Sequence, residues 1–227
     1  MAKVNKALLA QALLAMYQST YDFNLIAGKS VSQDYSLSQE AITVEEIKES
    51  IVAAILKDNK EKIDGLIDII VTDSFLVMIK DSQTEGLTGT DLLKDHTETF
   101  DSVTSEETLW GQLLTATLKE KWIDVLTIAE DLLYKIDPEA LYNLQEVANS
   151  NMSKFVPVNE LSSPEDVCEL IESKGRYTGV EYSTGEDNEG NEYYVFTATY
   201  DTKEKRAFDK PKIVKPEGYF KEPMLRV

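Results

Sequence analysis

The sequence predicts a mainly α protein, in which a four- to five-helix bundle over residues 1–155 is followed over residues 156–227 by a small α+β appendage with a β-hairpin and an extended arm. Two observations predict this class. Apolar residues recur at helical spacing through most of the first segment, and after Pro157 the pattern changes to period-two runs rich in Tyr, Val and Thr. Of the 227 residues, 42% are apolar, which is enough for a buried core.

The apolar periodicity predicts five helices in the first segment, at about 1–24, 43–57, 60–80, 105–135 and 138–149. The polar run 30–39 is expected to be a loop, and Thr43 with Glu46 has the spacing of a capping box. Pro138 suits the first turn of the fifth helix. Two apolar stripes should face the core: Val44, Ile47, Ile51 and Ile55 in the second helix, and Trp110, Leu113, Leu114, Leu118 and Trp122 in the fourth.

The appendage is predicted to begin with a short helix near 165–173. Residues 176–183 and 193–200 alternate in polarity and should form a hairpin across the turn at 185–190. The proline-containing end, 210–227, is expected to be an arm that orders on contact and does not form a helix. The polar stretch 81–105 should loop out after the third helix.

The composition limits the classes of partner. The chain has 23 basic and 41 acidic residues and a net charge of −18, so we expect no nucleic-acid partner. Residues 201–227 contain eight basic and five acidic residues, which makes this segment +3 and leaves −21 on the rest. No segment has eighteen uncharged apolar residues, and the N-terminus lacks a cleavage pattern. We therefore expect a cytoplasmic protein without a membrane span or signal peptide.

Soft metal ligands are almost absent. One cysteine, Cys168, and one histidine, His96, exclude a disulfide framework, Cys/His zinc sites and a Glu-x-x-His di-iron bundle. Any metal must therefore be held by oxygen ligands.

Carboxylates lie at unusual positions in the third helix. Between Ile63 and Ile79 this helix is apolar on every side and has no Lys or Arg, so it should be buried nearly all round. Glu61, Asp64 and Asp68 share one stripe, which should point to the core or to a cleft. Buried carboxylates need a cation, and oxygen ligands suit Mg²⁺ or Mn²⁺. The alternative is a set of salt bridges to lysines from other helices.

The second and third predicted helices both contain regularly spaced carboxylates, and two later segments of the chain contain further motifs. Residues 137–154 contain D-P-E-A-L followed by S-N-M-S-K, and residues 212–219 read K-x-x-K-P-x-G-Y. These segments resemble phage-type members of the all-α nucleoside triphosphate pyrophosphohydrolases, the MazG-like and phosphoribosyl-ATP pyrophosphohydrolase-like group. The carboxylates that carry the resemblance read E-E-x-x-E and then E-x-x-D-x-x-x-D, at Glu45, Glu46, Glu49, Glu61, Asp64 and Asp68.

The resemblance implies that residues 1–155 form a pyrophosphohydrolase domain of a homodimer or higher homo-oligomer, in the host cytoplasm if phage-encoded. The substrate would be a deoxynucleoside triphosphate or a related nucleotide, cleaved to monophosphate and pyrophosphate with Mg²⁺, or with Mn²⁺. The metal ligands implied are Glu46, Glu49, Glu61 and Asp64. The catalytic carboxylates implied are Glu45, Glu49 and Asp68, and the nucleotide contacts are Asn151, Lys154 and Lys215, with Lys212 and Tyr219 closing the site.

Two other interpretations stay open. The net charge of −18 would also suit an acidic interaction protein or a nucleic-acid mimic, although a mimic needs its carboxylates on the surface. A helical protein that keeps this fold without activity is compatible with the same residues.

Overall fold

A computed structural model describes residues 4–81, 100 and 103–227. The chain divides into two compact units. The first comprises Met1–Tyr21, Ser30–Ala148 and Met224–Val227, and the second comprises Asp22–Lys29 and Asn149–Pro223. Each unit is built from separate pieces of the chain. The sequence predicted a single boundary, after residue 155. The loop predicted at 81–105 lies almost wholly outside the described residues.

Seven α-helices and a five-stranded antiparallel sheet form the described part of the chain, which confirms a mainly α protein with a small C-terminal sheet. The helices are α1 Lys6–Ile26, α2 Ser36–Leu56, α3 Asn59–Asp81, α4 Glu106–Leu118, α5 Trp122–Ile136, α6 Ala140–Met152 and α7 Pro164–Ser173. The strands are β1 Phe155–Pro157, β2 Tyr177–Thr178, β3 Glu181–Glu186, β4 Glu192–Asp201 and β5 Arg206–Ile213. In the described part of the chain, no helix is long and apolar enough to cross a membrane.

Helix α3 is the centre of the first unit. It packs against α2 and α5, and its apolar side chains on several sides, such as Leu66, Ile70 and Phe75, are fully buried. This burial confirms the prediction from its all-round apolar sequence.

Helix α2 begins seven residues before Thr43, so the predicted capping box is wrong, and the loop predicted at 30–39 ends before Ser36. Ser32 caps a 3₁₀ turn, Gln33–Tyr35, which leads directly into α2. Thr43 is buried inside the helix, and its hydroxyl donates to the carbonyl of Gln39. The polar residues at the start of α2 predict a loop because polar side chains are usually exposed. In the structure, α2 instead buries small polar side chains against α3. The predicted apolar stripe is also only partly inward, since Ile55 is 73% exposed.

The α2–α3 contact depends on Gly65. A Cβ atom at this position would lie 2.9 Å from the Cβ of Ser50 on α2, closer than real carbon atoms approach. We expect Gly65→Ala to lower the free energy of unfolding by about 1–3 kcal/mol, because the helices must separate. Gly111→Ala on α4 is the matched control, because a Cβ there meets nothing within 4 Å. The control should raise stability by up to about 1 kcal/mol in urea denaturation. Equal stability of the two variants would contradict the close approach.

The single helix predicted at 105–135 is two helices. Residues 119–121 separate α4 from α5, and Glu120 has a positive φ of 54°. No Gly or Pro marks this break in the sequence, and the apolar spacing continues through it because each helix buries its own face. Leu113 and Trp122 are buried as predicted, whereas Leu114 and Leu118 are 47% and 78% exposed.

Strand β4 organises the second unit. It pairs with all four other strands, and its pairing with β3 confirms the predicted hairpin. Its side chains alternate between two small cores, because Val195 packs with Ile26 and Phe155, whereas Phe196 packs with α7 residues such as Val167. The short helix predicted near 165–173 is α7.

The C-terminal arm is partly a strand, which corrects the prediction for 210–227. Residues 206–213 form β5, and Pro211 is tolerated because it lies where β5 bulges away from β4. Residues after Ile213 form no further helix or strand. They still pack, since Val214 is buried in the core of the second unit and Tyr219 lies against it.

Candidate functional site

A short connection sets the register between α2 and α3. Lys57 ends α2 in the left-handed conformation, with φ of 57°. The Asp58 carboxylate then accepts hydrogen bonds from the amides of Lys60 and Glu61, at 3.1 and 3.2 Å, and caps α3. Because the chain reverses over these few residues, α2 and α3 pack side by side, and Gly65 of α3 approaches Ser50 of α2. The two parts of the carboxylate pattern therefore meet.

Like charges interact across the two helices. Glu46 is half-buried, and its pKa is raised to about 7 by burial and by the carboxylates of Glu49, Glu45 and Asp64. Burial and the neighbouring Glu61 also raise the pKa of Asp64, although Lys60 opposes this. We call Glu45, Glu46, Glu49, Glu61 and Asp64 the acidic ridge.

The acidic ridge is not neutralised by salt bridges. Within the described residues, no lysine or arginine forms an ion pair with any of its five members. Two other lysines of α3 pair with acids outside the ridge, Lys62 with Glu106 and Lys80 with Glu40, both at 3.1 Å. For these five residues, the interhelical salt bridges considered as an alternative are not formed within the described part of the chain.

Exposure differs along the ridge. Glu61, predicted to point to the core or to a cleft, is exposed and so lies outside the core, and Glu45 and Glu49 are also exposed. Asp64 and Asp68 are half-buried. Glu49 and Glu61 line a pocket of about 330 Å³ whose other walls are Lys48, Val52, Ala53, Leu56 and Asp58. Three carboxylates and one lysine thus border a recess whose apolar walls are Val52, Ala53 and Leu56.

The donor set suits a hard divalent cation, because carboxylate oxygens are its preferred ligands and opposed charges lose their repulsion when it binds. Among the described residues, however, no three acidic, histidine or cysteine side chains lie close enough together to hold an ion. Glu49 and Glu61 are exposed, so their side chains can change rotamer without disturbing the core.

The predicted nucleotide contacts belong to the second unit. The ammonium of Lys154 donates to the side-chain oxygen of Asn151 at 2.9 Å and lies 5.4 Å from the ring centre of Phe23. Lys215 is exposed and donates to Glu222 at 3.0 Å. Asn151 and Lys154 are therefore neighbours, whereas Lys215 belongs to the C-terminal segment.

Two buried acids were not assigned a role from the sequence. Glu130 on α5 is 2% exposed and accepts a hydrogen bond from the hydroxyl of Tyr17. Burial, and then Asp131, raise its pKa well above the ordinary value. Asp73 on α3 is fully buried, and neither of its oxygens has a hydrogen-bond partner among the described residues. In the sequence, the burial of Glu130 is indicated by its apolar neighbours Ala129 and Leu132.

Comparison of the chain with known protein families, with curated proteins and with solved structures found no match.

Proposed function

We propose that this protein is a magnesium-dependent nucleoside triphosphate pyrophosphohydrolase. The reaction would be attack of water on a triphosphate, releasing a monophosphate and pyrophosphate, with a deoxynucleoside triphosphate or a related nucleotide as substrate. The observation that carries the proposal is the acidic ridge. Its half-buried Glu46, with a pKa raised to about 7, lies among like charges that form no ion pair within the described residues. A bound divalent cation would supply the positive charge that these clustered carboxylates lack.

The residues divide into three roles. Glu46, Glu49, Glu61 and Asp64 would hold Mg²⁺, or Mn²⁺ in its place, which supplies positive charge where the phosphates develop negative charge. Glu45, Glu49 and Asp68 would orient the attacking water and accept its proton. Asn151, Lys154 and Lys215 would donate hydrogen bonds to the nucleotide. In this proposal, residues 1–155 form the helical bundle of the catalytic domain, and the protein works in the cytoplasm, that of the host if it is phage-encoded.

Pyrophosphate release from the common ribo- and deoxyribonucleoside triphosphates, with and without Mg²⁺, tests the proposal. We expect release that requires Mg²⁺ and that ranks the nucleotides by preference. No release from any of them, with folded protein, would contradict the proposed reaction on these substrates.

We also propose that the protein is a homodimer or higher homo-oligomer. Apolar side chains on α2 support this, since Val52, Ile55 and Leu56 are 53%, 73% and 72% exposed. We expect Ile55→Glu to shift the protein to a smaller assembly in light scattering, because a charge would be buried at the contact. Lys119→Glu, on exposed surface, is the control. An unchanged mass for Ile55→Glu would exclude this face from the contact.

A second candidate function is an acidic interaction protein. The exposure of Glu45, Glu49 and Glu61, together with the net charge of −18, favours it. Such a protein would bind a basic partner without Mg²⁺ and release no pyrophosphate.

A further inference from the structure

Strand β5 interrupts its own ladder. Between the pairs Ala198–Lys212 and Tyr200–Ala207, β4 contributes one residue and β5 contributes four. Residues 208–211 therefore bulge away from β4, which places Lys210 outside the regular ladder. Bulges re-aim side chains and are frequent next to binding sites.

Two basic side chains that flank the bulge lie near one aromatic ring. Arg206 and Lys212 lie 6.0 and 5.5 Å from the ring centre of Phe208, so this half-buried ring holds two cations near each other. Lys210 is near Lys29, a half-buried residue that follows α1 in the sequence. We call Lys29, Arg206, Lys210 and Lys212 the basic cluster.

The basic cluster is unusual in so acidic a protein. Among the described residues, Lys29, Lys210 and Lys212 form no ion pair, and Arg206 pairs only with Glu204. Burial, and then repulsion from Lys210, lower the pKa of Lys29. Like charges held close together cost free energy, the more so at half-buried Lys29, and a bound anion would remove that cost.

We propose that the basic cluster binds a short chain of phosphate groups, as in inorganic triphosphate, pyrophosphate or the phosphates of a nucleotide. Arg206 and Lys212 beside Phe208, and Lys210 beside Lys29, bring lysine and arginine donors together at one bulge, and such donors match the closely spaced charges of a phosphate chain. The ligand is short because the body outside residues 201–227 carries −21, so a long nucleic-acid backbone would meet repulsion beyond the cluster. The cluster belongs to the second unit and the acidic ridge to the first, and binding is measured without turnover, so the test does not depend on the proposed reaction.

The test is calorimetric titration of the full chain with inorganic triphosphate, at low salt and without Mg²⁺. We expect saturable binding that weakens as salt increases, and Lys210→Gln/Lys212→Gln should weaken it by about tenfold per lysine. The matched control is Lys119→Gln/Lys121→Gln, which removes the same charge from the exposed turn between α4 and α5 and should bind like the wild type. In NMR, triphosphate should raise the pKa of Lys29 in the wild type.

Three outcomes would overturn the proposal. The first is unchanged triphosphate binding by a folded Lys210→Gln/Lys212→Gln protein. The second is an equal loss in the control, which would mean that net charge alone matters. The third is tighter binding of a long single-stranded oligonucleotide than of triphosphate, lost in the same variant, which would make a nucleic acid the ligand. Binding of triphosphate with no pyrophosphate release from nucleotides would leave this site standing and reject the proposed reaction.

Discussion

Glu49→Gln and Asp64→Asn are each expected to reduce magnesium-dependent pyrophosphate release by about a thousandfold or more, which corresponds to roughly 4 kcal/mol of transition-state stabilisation. Each substitution keeps the shape of the side chain and removes one negative charge from the acidic ridge. The measurement is steady-state turnover with the best substrate of the nucleotide panel. Activity retained in either variant would remove that residue from the proposed metal ligands.

The same variants separate a catalytic role from a structural one. Glu49 and Asp64 neighbour Glu46, whose pKa they help to raise, so removing either charge relieves repulsion. Without Mg²⁺, both variants should therefore be at least as stable as the wild type in thermal denaturation. Mg²⁺ should raise the melting temperature of the wild type and have a smaller effect on the variants. Unfolded variants would instead identify the two carboxylates as structural partners.

Two exposed acids supply the controls. Glu107→Gln on α4 and Asp124→Asn on α5 repeat the same chemical changes at exposed or partly exposed positions away from the ridge. We expect both to keep wild-type turnover and the wild-type response to Mg²⁺. A comparable loss in these controls would indicate that overall charge, and not the ridge, supports the activity.

Asp73→Asn is expected to make the protein more stable at neutral and alkaline pH, because the wild type must keep in the core a carboxyl group that has no hydrogen-bond partner among the described residues. Burial raises the pKa of Asp73 well above its ordinary value of 3.8. The folded state therefore retains a proton that the unfolded state releases. Wild-type stability should fall, relative to the variant, by up to about 1.4 kcal/mol per pH unit as pH rises from the unfolded pKa to the folded one.

Urea denaturation at a series of pH values measures this difference. The gap between Asp73→Asn and the wild type should be smallest in acid, below the unfolded pKa, and should widen until the folded carboxyl group also ionises. Asp124→Asn should follow the wild type at every pH. Parallel stability curves for Asp73→Asn and the wild type would mean that Asp73 has a partner in solution that neutralises it.

Much of the fold could be predicted from local patterns. The all-round apolar sequence of α3 and the period-two runs of the β3–β4 hairpin each encode their element within a few residues. The start of α2 could not be predicted in this way, because its buried Ser36, Gln39 and Thr43 have the polarity of a loop. The break between α4 and α5 was missed because residues 119–121 contain no Gly or Pro.

Part of the candidate site could also be predicted from the local helical periodicity. Helical spacing alone groups Glu45 with Glu49 and Glu61 with Asp64, since residues three or four apart share a face. Whether a carboxylate is buried depends on which residues of the neighbouring helix pack against it. Exposed Glu61 and half-buried Asp64 are on one predicted stripe, and only the packing of α2 against α3 distinguishes them.

The sequence by itself determined the mainly α class, the C-terminal hairpin, the net charge of −18 and the carboxylate spacing, because composition and local periodicity carry these properties. The tertiary structure alone decided which charges have partners. Among the described residues, Asp73 has no hydrogen-bond partner, whereas Glu130 accepts a hydrogen bond from Tyr17, and Lys29 lies near Lys210 from a distant part of the chain. Such pairings join residues far apart in sequence, so no local pattern encodes them.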